Sequence, residues 1–426
     1  RAEKNRRRDH PALNAFSVRN GELYAEDVAL SQIGRRFGTP CFVYSRAALE
    51  QAFRDYDQAF GQRRHLICYA MKANSNLAIL NLFARMGSGF DIVSGGELAR
   101  VIAAGGDPGK TVFSGVGKSR DDMRQALAAG VMCFNVESES ELQRLNDTAG
   151  EMNRKAPVSV RVNPDVDAKT HPYISTGRKD NKFGVALGEA LRIYRKARAL
   201  PHLKIVGIDC HIGSQLIELA PFFDAVRKVL ELVDTLANEG IELKHLDLGG
   251  GLGIHYRDET PPLPDAYVKA LLDCVGQRRQ EILIEPGRSL VGNAGLLLTR
   301  IEYLKHGEAR NFAVVDAAMN DLIRPALYDG YHEVRQVVPS TADPRRYEIV
   351  GPVCETGDFL ARDRELAVCE GDLLAVMSAG AYGMSMSSNY NSRPRAAEVM
   401  VDGGNVHLIR ERERIEQLFS GEHLLS

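Results

Sequence analysis

The sequence predicts an α/β protein: a closed (β/α)8 barrel of the TIM type joined to a second, β-rich domain of barrel or sandwich form. Three observations carry this. From residue 45 to residue 287 one unit recurs eight times: an amphipathic helical stretch, a polar or glycine break, then a compact β-branched and apolar run. Alternating helices and strands imply a parallel sheet, and eight such units favour closure into a barrel over an open doubly wound sheet. After Arg288 the helical period fades, and short strand-like runs separated by Gly, Pro and Asp turns replace it. The length, 426 residues with 44% hydrophobic and 26% charged, is enough for two cores and argues against a largely disordered chain.

The elements follow in order. Asn20-Gly21 between Val18 and Leu23 is a hairpin signal, so residues 1–35 are expected to join the β-rich domain. The eight barrel runs are 66–72 (LICYAMK), 90–94 (FDIVS), 111–114 (TVFS), 133–137 (CFNVE), 158–163 (VSVRVN), 206–211 (VGIDCH), 245–248 (HLDL) and 281–285 (EILIE). Between the last three lie helical periods such as 221–238, which puts Phe223, Val226, Val229, Leu230, Val233 and Leu236 on one face. Ser94 with Glu97, and Ser138 with Glu141, have the spacing of a capping box at a helix start. Beyond the barrel, 314–316, 347–350, 373–377, 398–401 and 406–409 read as strands. The expected domains are therefore 36–287 for the barrel, with 1–35 and 288–426 forming the β-rich domain.

Charge and cysteine content narrow the partners. Lys+Arg 54 against Asp+Glu 56 gives a net charge of -2, so no global basic field attracts nucleic acid or an anionic membrane. The basic segment 1–8 is not followed by an apolar stretch, and no run of about 18 apolar residues occurs, so neither secretion nor membrane insertion is expected. Seven dispersed cysteines without a CxxC suggest a reducing, cytoplasmic setting, with no metal site.

Barrel enzymes collect catalytic groups at the C-terminal ends of their strands. Here those ends carry Lys72, Asp91, Glu137, Arg161 with Asn163, His211 with Ser214, Gly249-Gly250-Gly251, and Glu285-Pro286-Gly287-Arg288. Lys72 shares the strand parity of Ala70 and Cys68 and is expected to point inward, where burial would favour a neutral amine able to form a Schiff base with an aldehyde. The glycines at 249–251 and 287 would let backbone N–H groups approach a phosphate. They complete neither a P-loop nor a dinucleotide fingerprint. An amine, a phosphate cradle, an imidazole at His211 to stack on a ring and a carboxylate at Glu285 to hold a pyridine nitrogen protonated are together the demands of pyridoxal phosphate. A protonated ring is a strong electron sink, which favours decarboxylation over racemisation.

Longer motifs then coincide: YAMKAN at 69–74, HIGSQ at 211–215, GGGLG at 249–253, EPGR at 285–288, GPVCE at 351–355, and AYG at 381–383 with NYN at 389–391. HPYISTG at 171–177 and KFG at 182–184 accompany them. In this order they resemble the pyridoxal phosphate-dependent decarboxylases with an alanine-racemase-like barrel, most narrowly the diaminopimelate decarboxylase family, over about residues 17–421. The resemblance implies that Lys72 carries pyridoxal 5'-phosphate and that Asp91, Arg161, His211, Ser214, Gly250, Gly251, Glu285, Gly287, Arg288 and Tyr382 surround it. It also implies that Cys354 is the proton donor, and that a homodimer shares its active sites, Cys354 and Glu355 reaching the partner's barrel. The implied reaction converts meso-2,6-diaminopimelate to L-lysine and CO2, the last step of lysine biosynthesis.

Charge supports that substrate. A diamino dicarboxylate has a second amino-acid head, which needs cations for its carboxylate and an acceptor for its ammonium. Arg288, Arg324, Tyr328, Glu355 and Tyr382 supply both. Arg324 and Tyr328 are four apart, so one helical turn aligns them, with Pro325 tolerated only in a first turn. The rivals are a sister decarboxylase of D-ornithine or D-lysine type, a racemase, and a non-catalytic homologue that only binds pyridoxal phosphate.

Overall fold

Residues 15–166, 182–211 and 213–425 are described by the structure, a computed structural model of the chain. The motif at 171–177 lies outside the described residues. The chain divides into two compact units, one of residues 53–254 and 260–289, the other of the chain up to residue 52, 255–259 and everything from 290.

The first unit is a closed barrel. Its strands are His65–Ala70, Gly89–Ile92, Thr111–Phe113, Cys133–Val136, Ala156–Asn163, Leu203–Asp209, His245–Asp247 and Glu281–Ile284. Each pairs in parallel with the next, and Ile282 opposite His65 closes the ring. All eight strands stand at the runs expected from the sequence. Cys68, Val112, Cys133, Val206 and Leu283 form an apolar cluster from five of them. Towards the C-terminal ends the buried residues become polar: Asp91, Asn135, Arg161, Asp209 and Asp247 are all under one-tenth exposed. The barrel is thus apolar low down and charged at its mouth.

Local signals shape the helices as expected, with one shift. Helix Ala220–Asn238 buries Phe223, Val226, Val229, Leu230, Val233 and Leu236. Ser94 accepts the Glu97 N–H and Ser138 the Glu141 N–H. The glutamates reach back one residue further than a capping box, to the backbone N–H groups of Val93 and Glu137.

The second unit is built on a mixed sheet ordered Phe359–Leu366, Arg345–Val350, Asn311–Val315, Gly295–His306, Cys41–Ser45, Ala397–Asp402 and Asn405–Arg410, with Leu373–Val376 and Val334–Gln336 pairing off it. The strand Cys41–Ser45, within the span expected for the barrel, joins this sheet. It lies between Gly295–His306 and Ala397–Asp402, and all five of its residues are buried. A fully buried strand of this kind has no alternation that says which sheet will take it. The hairpin forms as read, with Asn20 and Gly21 both at positive φ and Arg19 opposite Glu22. Among the described residues no helix is long and apolar enough to cross a membrane.

Candidate active site

The first barrel strand ends at Ala70, and a 3-10 turn, Met71–Ala73, carries Lys72 onward. The turn breaks the strand's two-residue period, so the expected burial of the Lys72 amine does not occur: its side chain is 41% exposed. The amine instead donates to Asp91 Oδ2 at 2.8 Å, while Asp91 itself is 1% exposed. The lysine is aimed by a buried carboxylate and open to the mouth.

Opposite strands supply the other groups. Arg161 bonds to Glu137 at 3.2 Å, lies 4.0 Å from Asp209 and stacks on Phe183 at 4.9 Å. Glu137 also accepts the N–H groups of Gly115 and Gly184, both at 2.9 Å, so one carboxylate ties three loops together. Arg288 donates to Ser214 Oγ at 3.1 Å. Gly250 N–H donates to His211 Nδ1 at 3.3 Å, which leaves that nitrogen without a proton. Burial, then the cations of Arg161 and Lys72, holds His211 well below the ordinary imidazole range, consistent with a neutral ring. Glu285 Oε2 is 3.9 Å from the same nitrogen, and burial with Asp247, Asp91 and Asp209 nearby pushes Glu285 well above the usual carboxylate range.

The glycines matter for backbone crowding. A Cβ on Gly250 would sit 2.0 Å from the Glu285 carbonyl oxygen. Gly251 has φ +100 and would meet the Gly213 carbonyl oxygen at 2.2 Å. The loops after the sixth, seventh and eighth strands therefore touch main chain to main chain. Gly287 packs beside Ala70 and Ala73, flanking the turn that bears Lys72.

The second unit holds the remaining expected residues. Arg324 opens the helix Arg324–Tyr328 with Pro325 in its first turn, the arrangement expected of that proline. Arg324 is 7% exposed, stacks on Tyr256 at 4.6 Å and bonds to His332 Nε2 at 2.9 Å. His332 Nδ1 faces the Met377 carbonyl at 2.8 Å and must donate to it, so Nε2 is the acceptor for Arg324. Tyr328 and Tyr382 are half-buried, and Tyr382 has φ +55. Cys354 and Glu355 are exposed. The Cys354 N–H donates to Asn391 Oδ1 at 3.1 Å, and Tyr390 donates to Glu355 at 2.6 Å. Asp358 accepts from the N–H groups of Val353 and Met319, anchoring the turn rather than the thiol. Exposure alone does not single out Cys354, because Cys369 is exposed too. Cys41, Cys68, Cys133 and Cys210 are buried, and burial pushes each of these thiols up.

Residues 46–292 match the family described as pyridoxal-dependent decarboxylase, pyridoxal binding domain. A relative named diaminopimelate decarboxylase, from Pseudomonas aeruginosa, is 62% identical over 413 residues, 97% of this chain and 100% of its own length. The chain belongs to the diaminopimelate decarboxylase family. Among solved structures, the family's Helicobacter pylori member complexed with L-lysine superposes with a TM-score of 0.90 at 42% identity, covering 92% of this chain and 99% of that one. The M. jannaschii member, also with L-lysine, gives 0.93 at 36% identity, over 97% and 99%.

A diaminopimelate decarboxylase family member is a pyridoxal-dependent lyase, and the barrel mouth fits that cofactor. It has an accessible amine, close-packed glycine loops, and buried carboxyl oxygens, Asp91 Oδ1 and Glu285 Oε1, that receive no hydrogen bond among the described residues. The quoted motifs leave out Asp209 and Asp247, the acids that end the sixth and seventh strands; they include Tyr390 and Asn391 but not the role of these two in holding the Cys354 turn. An acid at the C-terminal end of a barrel strand was the available signal for the first pair, since a buried carboxyl group needs a reason.

Proposed function

We propose that the protein removes one carboxylate of meso-diaminopimelate as CO2 and releases L-lysine. The single observation that carries the reading is full-length identity to the family together with an accessible Lys72 fixed by buried Asp91 in the barrel mouth. Pyridoxal phosphate, when bound, supplies an aldehyde for amines and a protonated ring that accepts the electron pair left by the departing carboxylate. Lys72 would be the covalent attachment point, and Asp91 orients its amine. His211 would stack on the ring face, and Glu285 would hold the ring nitrogen. Ser214, Gly250, Gly251, Gly287, Arg288 and Tyr382 would hold the rest of the cofactor, with Arg161 fixing the polar floor. The distal head of the substrate is recognised by Arg288, Arg324, Tyr328, Glu355 and Tyr382. Cys354 Sγ delivers the proton that replaces CO2 on the α-carbon.

The functional division proposed is a cofactor-binding barrel within 36–287 and a β-rich domain from both chain ends that contributes Cys354 and the substrate residues. The protein is further proposed to act in the cytoplasm as a homodimer with shared active sites, a reading the exposure of Cys354 and Glu355 in the single chain supports. Sedimentation equilibrium is expected to give twice the chain mass, and a monomer that is fully active would reject sharing. The substrate test is lysine release. Loaded enzyme is expected to produce L-lysine from meso-diaminopimelate far faster than it releases CO2 from D-ornithine or D-lysine or racemises alanine. Equal rates on the D-amino acids would overturn the assignment.

A further inference from the structure

Asp209 ends the sixth strand, Asp247 ends the seventh, and Glu285 follows the eighth; carboxyl oxygens of the three lie within 4.8 Å of one another. They are 1%, 0% and 5% exposed. Little positive charge serves them. Arg161 is 4.0 Å from Asp209 but is already bonded to Glu137, and Lys72 is bonded to Asp91. The other elements around the cluster present Cys68, Asp91, Cys133 and Asn135, none of them cationic, and the His211 ring beside Glu285 is neutral. Three like charges this close and this dry cannot all persist.

The shortage of donors points the same way. Asp247 Oδ1 takes the Gly249 N–H at 3.1 Å. Ionised carboxylates only accept, so two neighbouring carboxyl groups can join by a hydrogen bond only when one carries a proton. Asp209 Oδ1, Asp247 Oδ2 and Glu285 Oε1 receive no hydrogen bond from any donor among the described residues, which leaves each a place for a proton.

We propose that Asp209, Asp247 and Glu285 are a proton reservoir: at neutral pH the cofactor-free protein holds at least two protons on the three groups, Glu285 yields one to the pyridine nitrogen as pyridoxal phosphate binds, and protonated Asp247 donates to the resulting Glu285 carboxylate. This rests on the placement of the ring nitrogen against Glu285 proposed above. The balance is simple. The Glu285 O–H bond breaks, the nitrogen lone pair takes the proton to form an N–H bond, and the negative charge left on Glu285 faces the positive charge made on the ring. Asp209 and Asp247 are positioning residues that act through Glu285. Burial, reinforced by neighbouring carboxylates, pushes Asp247 up to about 7 and Asp209 and Glu285 well above the usual carboxylate range, in the direction the geometry requires.

The test is difference infrared spectroscopy of the full chain, reading the carbonyl stretch of protonated carboxyl groups, beside the absorbance of bound pyridoxal phosphate. The cofactor-free wild type is expected to show the acid band at pH 7. Asp209→Asn and Asp247→Asn, near-isosteric with the neutral acids, should each remove part of it with the circular dichroism unchanged. Adding pyridoxal phosphate should remove a further part in the wild type and none in Glu285→Gln. The dissociation constant for pyridoxal phosphate should rise about tenfold in Asp247→Ala, which loses the donor, and far less in Asp247→Asn, which keeps one. No acid band at pH 7, or a band that neither Asp variant alters, would overturn the reservoir. A band unchanged by loading that the absorbance shows to be complete would overturn the proton handover. Absence of cofactor absorbance in the wild type would instead sink the cofactor placement and the handover with it, while the band and its loss in the Asp variants are read independently.

Discussion

The reach of Lys72 comes from three residues of backbone. Had the first strand continued past Ala70, the amine would have entered the packed barrel; the Met71–Ala73 turn brings it to the mouth, and buried Asp91 fixes its direction. Cys354 is placed differently, by two neighbours in sequence position 390–391 that bond its turn through Asn391 and Tyr390. On the proposed roles, these two arrangements separate binding from proton delivery. Lys72→Ala should lose the absorbance of bound cofactor altogether. Cys354→Ala should keep that absorbance while turnover falls by roughly 10² to 10⁴, the usual contribution of a positioned acid or base. Parallel cofactor titrations and single-turnover rates check this, and wild-type turnover in Cys354→Ala would remove the thiol from the mechanism.

At the scale of elements, the site depends on how closely three loops pack. The Gly249 carbonyl accepts the Glu285 N–H at 2.8 Å, and the Gly251 carbonyl accepts the Leu216 N–H at 2.8 Å, so the loops after the last three strands are joined as one surface. Gly250 stands where they are tightest. Gly250→Ala puts a methyl group 2.0 Å from the Glu285 carbonyl oxygen, a contact only backbone displacement relieves. The expected cost is about 1 to 3 kcal/mol of stability, with weaker cofactor binding because Glu285 and His211 both shift. Denaturant melts and cofactor titration of the variant measure the two effects, and an unchanged midpoint with unchanged affinity would show that the loops give way freely. All eight barrel strands and the glycine loops were legible in the sequence because apolar runs of that length and their breaks are local signals. The strands Gly295–His306 and Phe359–Leu366 were not, because charged residues within them mask the strand pattern that their partners in the sheet complete.

For the molecule as a whole, the barrel interior sets a pH dependence of stability. His245 lies inside the barrel at 2% exposure, its Nε2 3.7 Å from Cys133, and burial holds it down at about 4, against 6.5 for a free imidazole. Between those values the unfolded chain binds the proton and the folded barrel does not. The contribution is therefore fully present above about pH 6.5 and is lost as the pH falls towards 4, by roughly 3 kcal/mol in all. His211 acts with the same sign. Replacing His245 by Asn should flatten this acid limb, so that the variant's melting temperature falls less than the wild type's between pH 6.5 and 4. Parallel slopes in thermal melts across that range would rule the ring out as a contributor.

Sequence alone determined the barrel, the β-rich character of the chain after residue 288, the family, and the strand-end residues on which a cofactor reading rests. Each is written in local periodicity or contiguous motifs. Only the tertiary structure decided that Lys72 leaves the strand, that Cys41–Ser45 belongs to the second sheet, and that Asp209, Asp247 and Glu285 meet. Those facts depend on backbone direction at one turn, on which sheet edge accepts a buried strand, and on the closing of the barrel. Closure brings together carboxyl groups that stand 38 residues apart in each of two steps along the chain, at a distance where charge cannot be shared without protons.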